Sequence, residues 1–116
     1  MNAASLLRFR QKVDLLSGAL MRVEVVILNF NGAKWLPTCL SSLQRLETEG
    51  IELSIVVADN HSKDASEAIV REYPGVIWLP LGRNWGFSEG NNRAVWKRLR
   101  QARESGAALQ IGRAHV

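Results

Sequence analysis

The chain has 116 residues, of which 47% are hydrophobic and 22% charged, with a formal net charge of +4. This composition fits one globular domain or a piece of one, large enough to bury roughly 65% of its unfolded surface. It excludes a spanning helix, because no apolar run approaches the ~20 residues a membrane needs. The single cysteine, Cys39, excludes an internal disulfide.

In chain order, Leu6, Phe9, Val13, Leu16 and Leu20 recur at spacings of three and four. That spacing predicts an amphipathic helix over residues 1–20, flanked by Arg8, Arg10 and Lys12. Such a helix is a candidate for peripheral membrane contact, although a loosely packed extension reads as well. Residues 24–30 then form an apolar run expected to be a strand, followed by a helix over 34–47 with Leu36, Leu40 and Leu43 on one face. Pro37 is tolerated there because the first helical turn has no amide bonds to lose. Cys39 falls on the apolar side of this helix and reads as a buried thiol. A second strand is expected at 53–58. Asp64 and Glu67 read as a capping box for a second helix that ends at Tyr73-Pro74-Gly75. A third strand is expected at 76–79, a long helix at 87–105 with Ala94, Val95, Leu99 and Ala102 inward, and a fourth strand at 107–111. Alternating strands and helices predict an α/β fold, a three-layer sandwich with a mostly parallel sheet.

Function should lie where the apolar runs end. Val25-Val26-Ile27-Leu28 gives way to Asn29-Phe30-Asn31, and Val56-Val57-Ala58 gives way to Asp59-Asn60. In open parallel sheets, ligands bind at the carboxyl ends of strands. Asn29 and Phe30 offer an amide and an aromatic face to a planar base, and Asp59 offers a carboxylate to an imide N–H or a ribose hydroxyl. Neither a Gly-x-Gly-x-x-Gly turn nor a Walker lysine loop is present, so a glycine-rich turn does not hold phosphates at the first strand. Further on, Gly82-Arg83-Asn84-Trp85-Gly86 leads into Gly90-Asn91-Asn92 inside a helix start. Gly and Asn there cost about 0.5–1 kcal/mol each against Ala, which suggests close backbone approach or an amide aimed into a site.

Taken together, these blocks resemble family 2 glycosyltransferases of the GT-A fold, near the rhamnosyltransferase-like branch. The residues that carry the resemblance are Val25-Val26-Ile27-Leu28-Asn29-Phe30-Asn31-Gly32, Cys39-Leu40-Ser41-Ser42-Leu43, Val56-Val57-Ala58-Asp59-Asn60-His61-Ser62-Lys63-Asp64 and Asn84-Trp85-Gly86-Phe87-Ser88-Glu89-Gly90-Asn91-Asn92. Two positions depart from the family pattern. His61 stands where Gly is usual, and Glu89 where a small residue is usual.

The resemblance implies a Rossmann-like nucleotide-binding half that transfers sugar from a nucleotide-diphosphate sugar, dTDP-rhamnose-like, to a glycan or lipid-linked acceptor of cell-envelope polysaccharide. By position, it implies that Asn29, Phe30 and Asn31 line the base pocket, with Asp59 and Asn60 beside them. Asn84, Gly86 and Asn92 would border the sugar-diphosphate side. The family's Mg²⁺ or Mn²⁺ is held by an acidic motif after a fourth strand beside the first, and a later carboxylate deprotonates the acceptor. Neither motif falls within these residues, so no metal and no activity are expected of this chain alone.

The expected organisation is an N-terminal extension over 1–21, the nucleotide-sugar-binding part over 22–110, and a foreign tail over 111–116. Ile111-Gly112-Arg113-Ala114-His115-Val116 resembles the read-through translation of a common sequencing adapter. Without that strand-four neighbour, an exposed apolar sheet edge is expected. The expected location is cytoplasmic. Two alternatives accompany this reading: a basic α/β domain that binds nucleic acid through Arg93, Lys97, Arg98, Arg100 and Arg103, and a non-catalytic nucleotide-binding module. Acidic residues flank that basic run, so no nucleic-acid partner is expected.

Overall fold

Residues 25–28 and 55–58 are apolar at every position, so strands built from them need cover on both faces. The computed structural model describes residues 4–10, 21–46, 50–105 and 108–114, and supplies that cover. The described residues form β1 (Ala4–Arg10), β2 (Met21–Asn29), α1 (Leu36–Gln44), β3 (Ile51–Asp59), α2 (Ser66–Arg71), β4 (Ile77–Pro80), α3 (Phe87–Glu104) and β5 (Ala108–Ala114). The strand order is β4-β3-β2-β1-β5, with β2, β3 and β4 parallel to one another.

Side-chain alternation along the strands divides the core in two. Val26, Leu28, Val56, Ala58 and Leu79 face α3, where Ala94 and Val95 are buried against them and Leu99 packs at the side. Ile27, Ile55 and Val57 face the other way, onto Leu36 and Leu40 of α1 and Val70 of α2. Each fully buried Val or Leu contributes about 1.5–3 kcal/mol, so these two clusters hold the three layers together. Cys39 packs half-buried at the edge of the second cluster, and desolvation raises its thiol pKa. Pro37 sits in the first turn of α1, as its missing N–H requires.

The N-terminal expectation is corrected. Residues 4–10 form a strand and not a helix, paired antiparallel to β2 with Ala4 opposite Ile27 and Arg10 opposite Met21. Leu7-Arg8-Phe9-Arg10 alternates apolar and charged with period two, a strand pattern within the longer helical stripe. The open side of β2 offers its backbone groups the partners they need. The remainder of the expected helix, residues 11–20, lies outside the described residues.

A second correction follows from the first. The strand expected over 107–111 does form, as β5, but it pairs antiparallel with β1 and does not lie beside β2. The sheet is therefore parallel over β2–β4 and antiparallel beyond, and β1 occupies the side of β2 expected to be bare. The antiparallel β5 also runs through residues 111–114, inside the segment expected to be foreign.

One buried ion pair fixes α3 to the sheet. Arg98 Nε donates to Glu24 Oε2 at 2.9 Å, and Arg98 Nη2 to Glu24 Oε1 at 2.6 Å. The Glu24 side chain is 3% exposed.

Candidate functional site

Asn29 and Asp59 end their strands as register partners, because β2 and β3 pair in parallel without offset. Asn29 Nδ2 donates to Asp59 Oδ1 at 3.0 Å, and Asn60 N donates to Asn29 O at 2.8 Å. The chain then turns the same way twice. Asn31 and His61, each two residues beyond its strand end, have φ of 50° and 69°. Asn and His visit this left-handed region more often than other L residues do, but each meets a Cβ cost there that Gly escapes. The family's usual Gly at the His61 position thus has a backbone cause.

Ser62 joins the two loops. Its N–H donates to Asp59 Oδ2 at 2.8 Å and its Oγ to Asp59 Oδ1 at 2.6 Å, while it accepts from Asn31 N at 2.8 Å. Lys63 N donates to Asn31 Oδ1 at 2.8 Å, and Ala33 N to Asp64 Oδ2 at 3.0 Å. Asp64 does not cap α2 through the expected box: its Oδ1 accepts from the N–H and hydroxyl of buried Ser66, while Glu67 pairs with Arg71. Burial works against ionisation of Asp64. Hydrogen bonds from the Ser66 side chain and from backbone N–H groups, including that of Ala33, outweigh it and hold the carboxyl below the usual aspartate range.

The third loop is latched by Asn60. Its Nδ2 donates to Gly86 O at 2.9 Å and its Oδ1 accepts from Trp85 N at 3.1 Å. Gly86 has φ of 77° and ψ of −175°, a conformation open to Gly alone, and its N–H donates to Asn84 Oδ1 at 2.9 Å. Gly90 meets the close approach that the sequence suggested: a Cβ there would lie 2.7 Å from Asn60 Nδ2 and 3.1 Å from Leu28 Cδ1. Glu89, the second departure from the family pattern, is exposed and pairs with Arg93 at 2.9 Å.

All the expected site residues but Asn92 therefore gather at one sheet edge, with unequal access; Asn92 lines a groove beside α3. Asn29, Asp59 and Asn60 are buried, Asn92 is half-buried on α3, and Phe30, Asn31, Asn84 and Gly86 are exposed. Asp59 and Asn60 spend their polar groups on the loops, so they shape the edge more than they present themselves. The buried Oδ1 atoms of Asn29 and Asn91 accept no hydrogen bond among the described residues. A cleft of about 230 Å³ opens at the end of β3, lined by Asp59, His61, Ser62, Asp64, Trp78 and Pro80 among others. It is smaller than the ~300–1,000 Å³ that encloses a whole small ligand. Phe30 and Asn31 do not line it.

Sequence reasoning assigned no role to Ser62 or Trp85. The Asp-x-x-Ser spacing, a recurrent local turn, was the available signal for Ser62. Trp85 carries Arg93 at 3.4 Å and Arg83 at 4.5 Å from its ring centre. Among the described residues, no group of three or more His, Cys, Asp and Glu is placed to hold a metal ion. Asp59 and Asp64 are already engaged by hydrogen bonds, so the residues described do not fit the family's divalent ion.

A sheet parallel over β2–β4 and covered by helices on both faces defines an α/β domain of the doubly wound type. The chain belongs to glycosyl transferase family 2, whose model matches residues 24–97. Two curated relatives, both the N-acetylglucosaminyl-diphospho-decaprenol L-rhamnosyltransferase of Mycobacterium tuberculosis strains, are 36% identical to it over 74 residues. That match covers 63% of this chain and 24% of each relative, so the chain spans about a quarter of their length. No solved structure gives a significant match.

Proposed function

We propose that residues 22–110 are the donor-recognising part of a glycosyltransferase that moves a sugar, rhamnose or one like it, from a nucleoside diphosphate to a glycan or lipid-linked acceptor. One observation carries the reading: Asn29 and Asp59 end adjacent parallel strands in register and are cross-linked through Ser62. That arrangement makes a rigid polar edge at which Phe30 and Asn31 stand exposed for a base. Asn29 and Asn60 act as positioning residues, holding Asp59 and the 84–86 loop. Asn84, Gly86 and Asn92 would then border the sugar-diphosphate side. The acceptor chemistry is suggested by the relatives' name, which specifies a diphospho-decaprenol carrier.

The same reading assigns no turnover to residues 1–116 alone. No group among the described residues is placed to hold the metal ion that would offset the charge of a departing nucleoside diphosphate. A lipid-linked acceptor would place the reaction at the cytoplasmic face of a membrane; among the described residues no helix is long and apolar enough to cross one. The test is sugar release from dTDP-rhamnose or UDP-sugars by purified residues 1–116 with Mg²⁺ or Mn²⁺. Donor binding without release supports the proposal; multiple turnovers would contradict it.

A further inference from the structure

The outward face of α3 borders the site just described, with Asn92 lining the groove between them. Residues 93, 96, 97, 100 and 103 recur at spacings of three and four, which aligns them along one stripe of a helix. All five are exposed, while Ala94, Val95 and Ala102 on the opposite side are buried. Four of the five are cationic. The fifth, Trp96, is 60% exposed, a large apolar ring left among charges. Two carboxylates share the face, Glu89 and Glu104, and Glu89 is held by Arg93. Arg83 extends the cationic surface at one end, since it and Arg93 both lie against the Trp85 ring. A groove beside the stripe is lined by Leu81, Glu89, Asn92, Trp96, Lys97 and Arg100 among others, and Lys97 Nζ donates to Pro80 O at 3.0 Å.

We propose that this face of α3 docks on an anionic lipid surface, with Trp96 entering the headgroup layer and Arg93, Lys97, Arg100 and Arg103 meeting lipid phosphates. Indole rings settle at the headgroup level because one edge is apolar and the other donates a hydrogen bond. Basic side chains beside them gain from the negative surface potential of anionic lipids. A nucleic-acid duplex would engage the cations but leave Trp96 unused; a single strand that stacks a base on the indole is the competing outcome of the test. The choice of a lipid over other anionic surfaces rests in part on the lipid-linked acceptor proposed above. The docking face differs from the N-terminal helix expected from sequence, whose residues 4–10 are a strand.

The test is co-sedimentation of residues 1–116 with phosphatidylcholine vesicles with and without phosphatidylglycerol, in about 0.1 M salt, where screening acts over about 10 Å. Binding is expected only to the anionic vesicles and should weaken as salt rises. Arg100→Glu with Arg103→Glu should reduce it at least about 25-fold, at roughly fivefold per basic residue removed. Trp96→Ala should weaken it severalfold without changing the salt slope. Arg100→Gln with Arg103→Gln, milder for the fold, should give an intermediate loss, and circular dichroism confirms that each variant is folded. Equal binding to neutral vesicles, unchanged binding of the folded variants, or tighter binding to random-sequence RNA through the same residues would overturn the proposal. No nucleotide is present in the assay, so its failure leaves the donor site untouched, and loss of donor binding leaves this result standing.

Discussion

Asn60 holds its side-chain amide directly beneath Gly90, so that a Cβ at Gly90 would fall 2.7 Å from Asn60 Nδ2. The amide cannot simply swing away, because it is bonded to Gly86 O and to Trp85 N. Two effects then oppose each other for Gly90→Ala. Helix propensity favours Ala by about 1 kcal/mol, while overpacking costs about 1–3 kcal/mol. The contact should win, and chemical denaturation should show a net loss of about 1 kcal/mol. In an Asn60→Ala background the same change should become neutral or stabilising. A gain in the otherwise unaltered chain would show that the latch yields freely.

His61 sits at φ 69°, and its Nε2 lies 3.0 Å from the exposed Lys63 ammonium. Left-handed backbone costs an L residue about 1–2 kcal/mol, against up to about 1 kcal/mol of added unfolded-state freedom for Gly. His61→Gly should therefore raise stability by about 0.5–1 kcal/mol in urea titrations, whereas His61→Ala should not. A destabilised Gly variant would show that the imidazole contributes something beyond the backbone.

Removing one member of the Glu24–Arg98 pair strands the other charge in the core. Arg98→Met should cost about 3–5 kcal/mol, and the double change Glu24→Leu with Arg98→Met far less. Thermal melts of the two variants decide it. Equal losses in single and double variants would mean that packing and not charge is lost.

The Asp64 carboxyl, held below its ordinary range by Ser66 and backbone N–H groups, contributes stability above the unfolded-state pKa of about 3.9. That contribution is lost as pH falls through the depressed folded value. Stability should thus decline below about pH 4, and Asp64→Asn should flatten that part of the profile. An unchanged acid limb in the variant would assign the decline to other carboxylates.

The parallel half of the fold was legible because its signals are local. Unbroken apolar runs at 25–28 and 55–58 mark two-sided burial, and Leu36, Leu40, Ala94 and Val95 fall inward as their spacing predicts. The edge beyond β2 was not legible. Leu6 and Phe9 suit a helical stripe, but the hydrogen-bond demand of β2's open side is a tertiary fact that no local pattern records, and residues 4–10 answer it as a strand. At the site, the polar strand ends were visible as composition breaks. Their accessibility was not, because Asn29 and Asp59 are buried by loops that Ser62 and Asn60 draw together across about thirty residues of chain.

The central claim is that the carboxyl edge of β2 and β3 receives the nucleoside part of a sugar donor. The most direct measurement is a two-dimensional amide NMR titration of residues 1–116 with dTDP and UDP, without added metal. The account predicts weak, saturable shifts concentrated at Phe30, Asn31, His61, Ser62 and 84–86, reduced in a folded Asp59→Asn variant. Saturable shifts confined to the outer face of α3, or none at Phe30, Asn31 and Ser62, would contradict it.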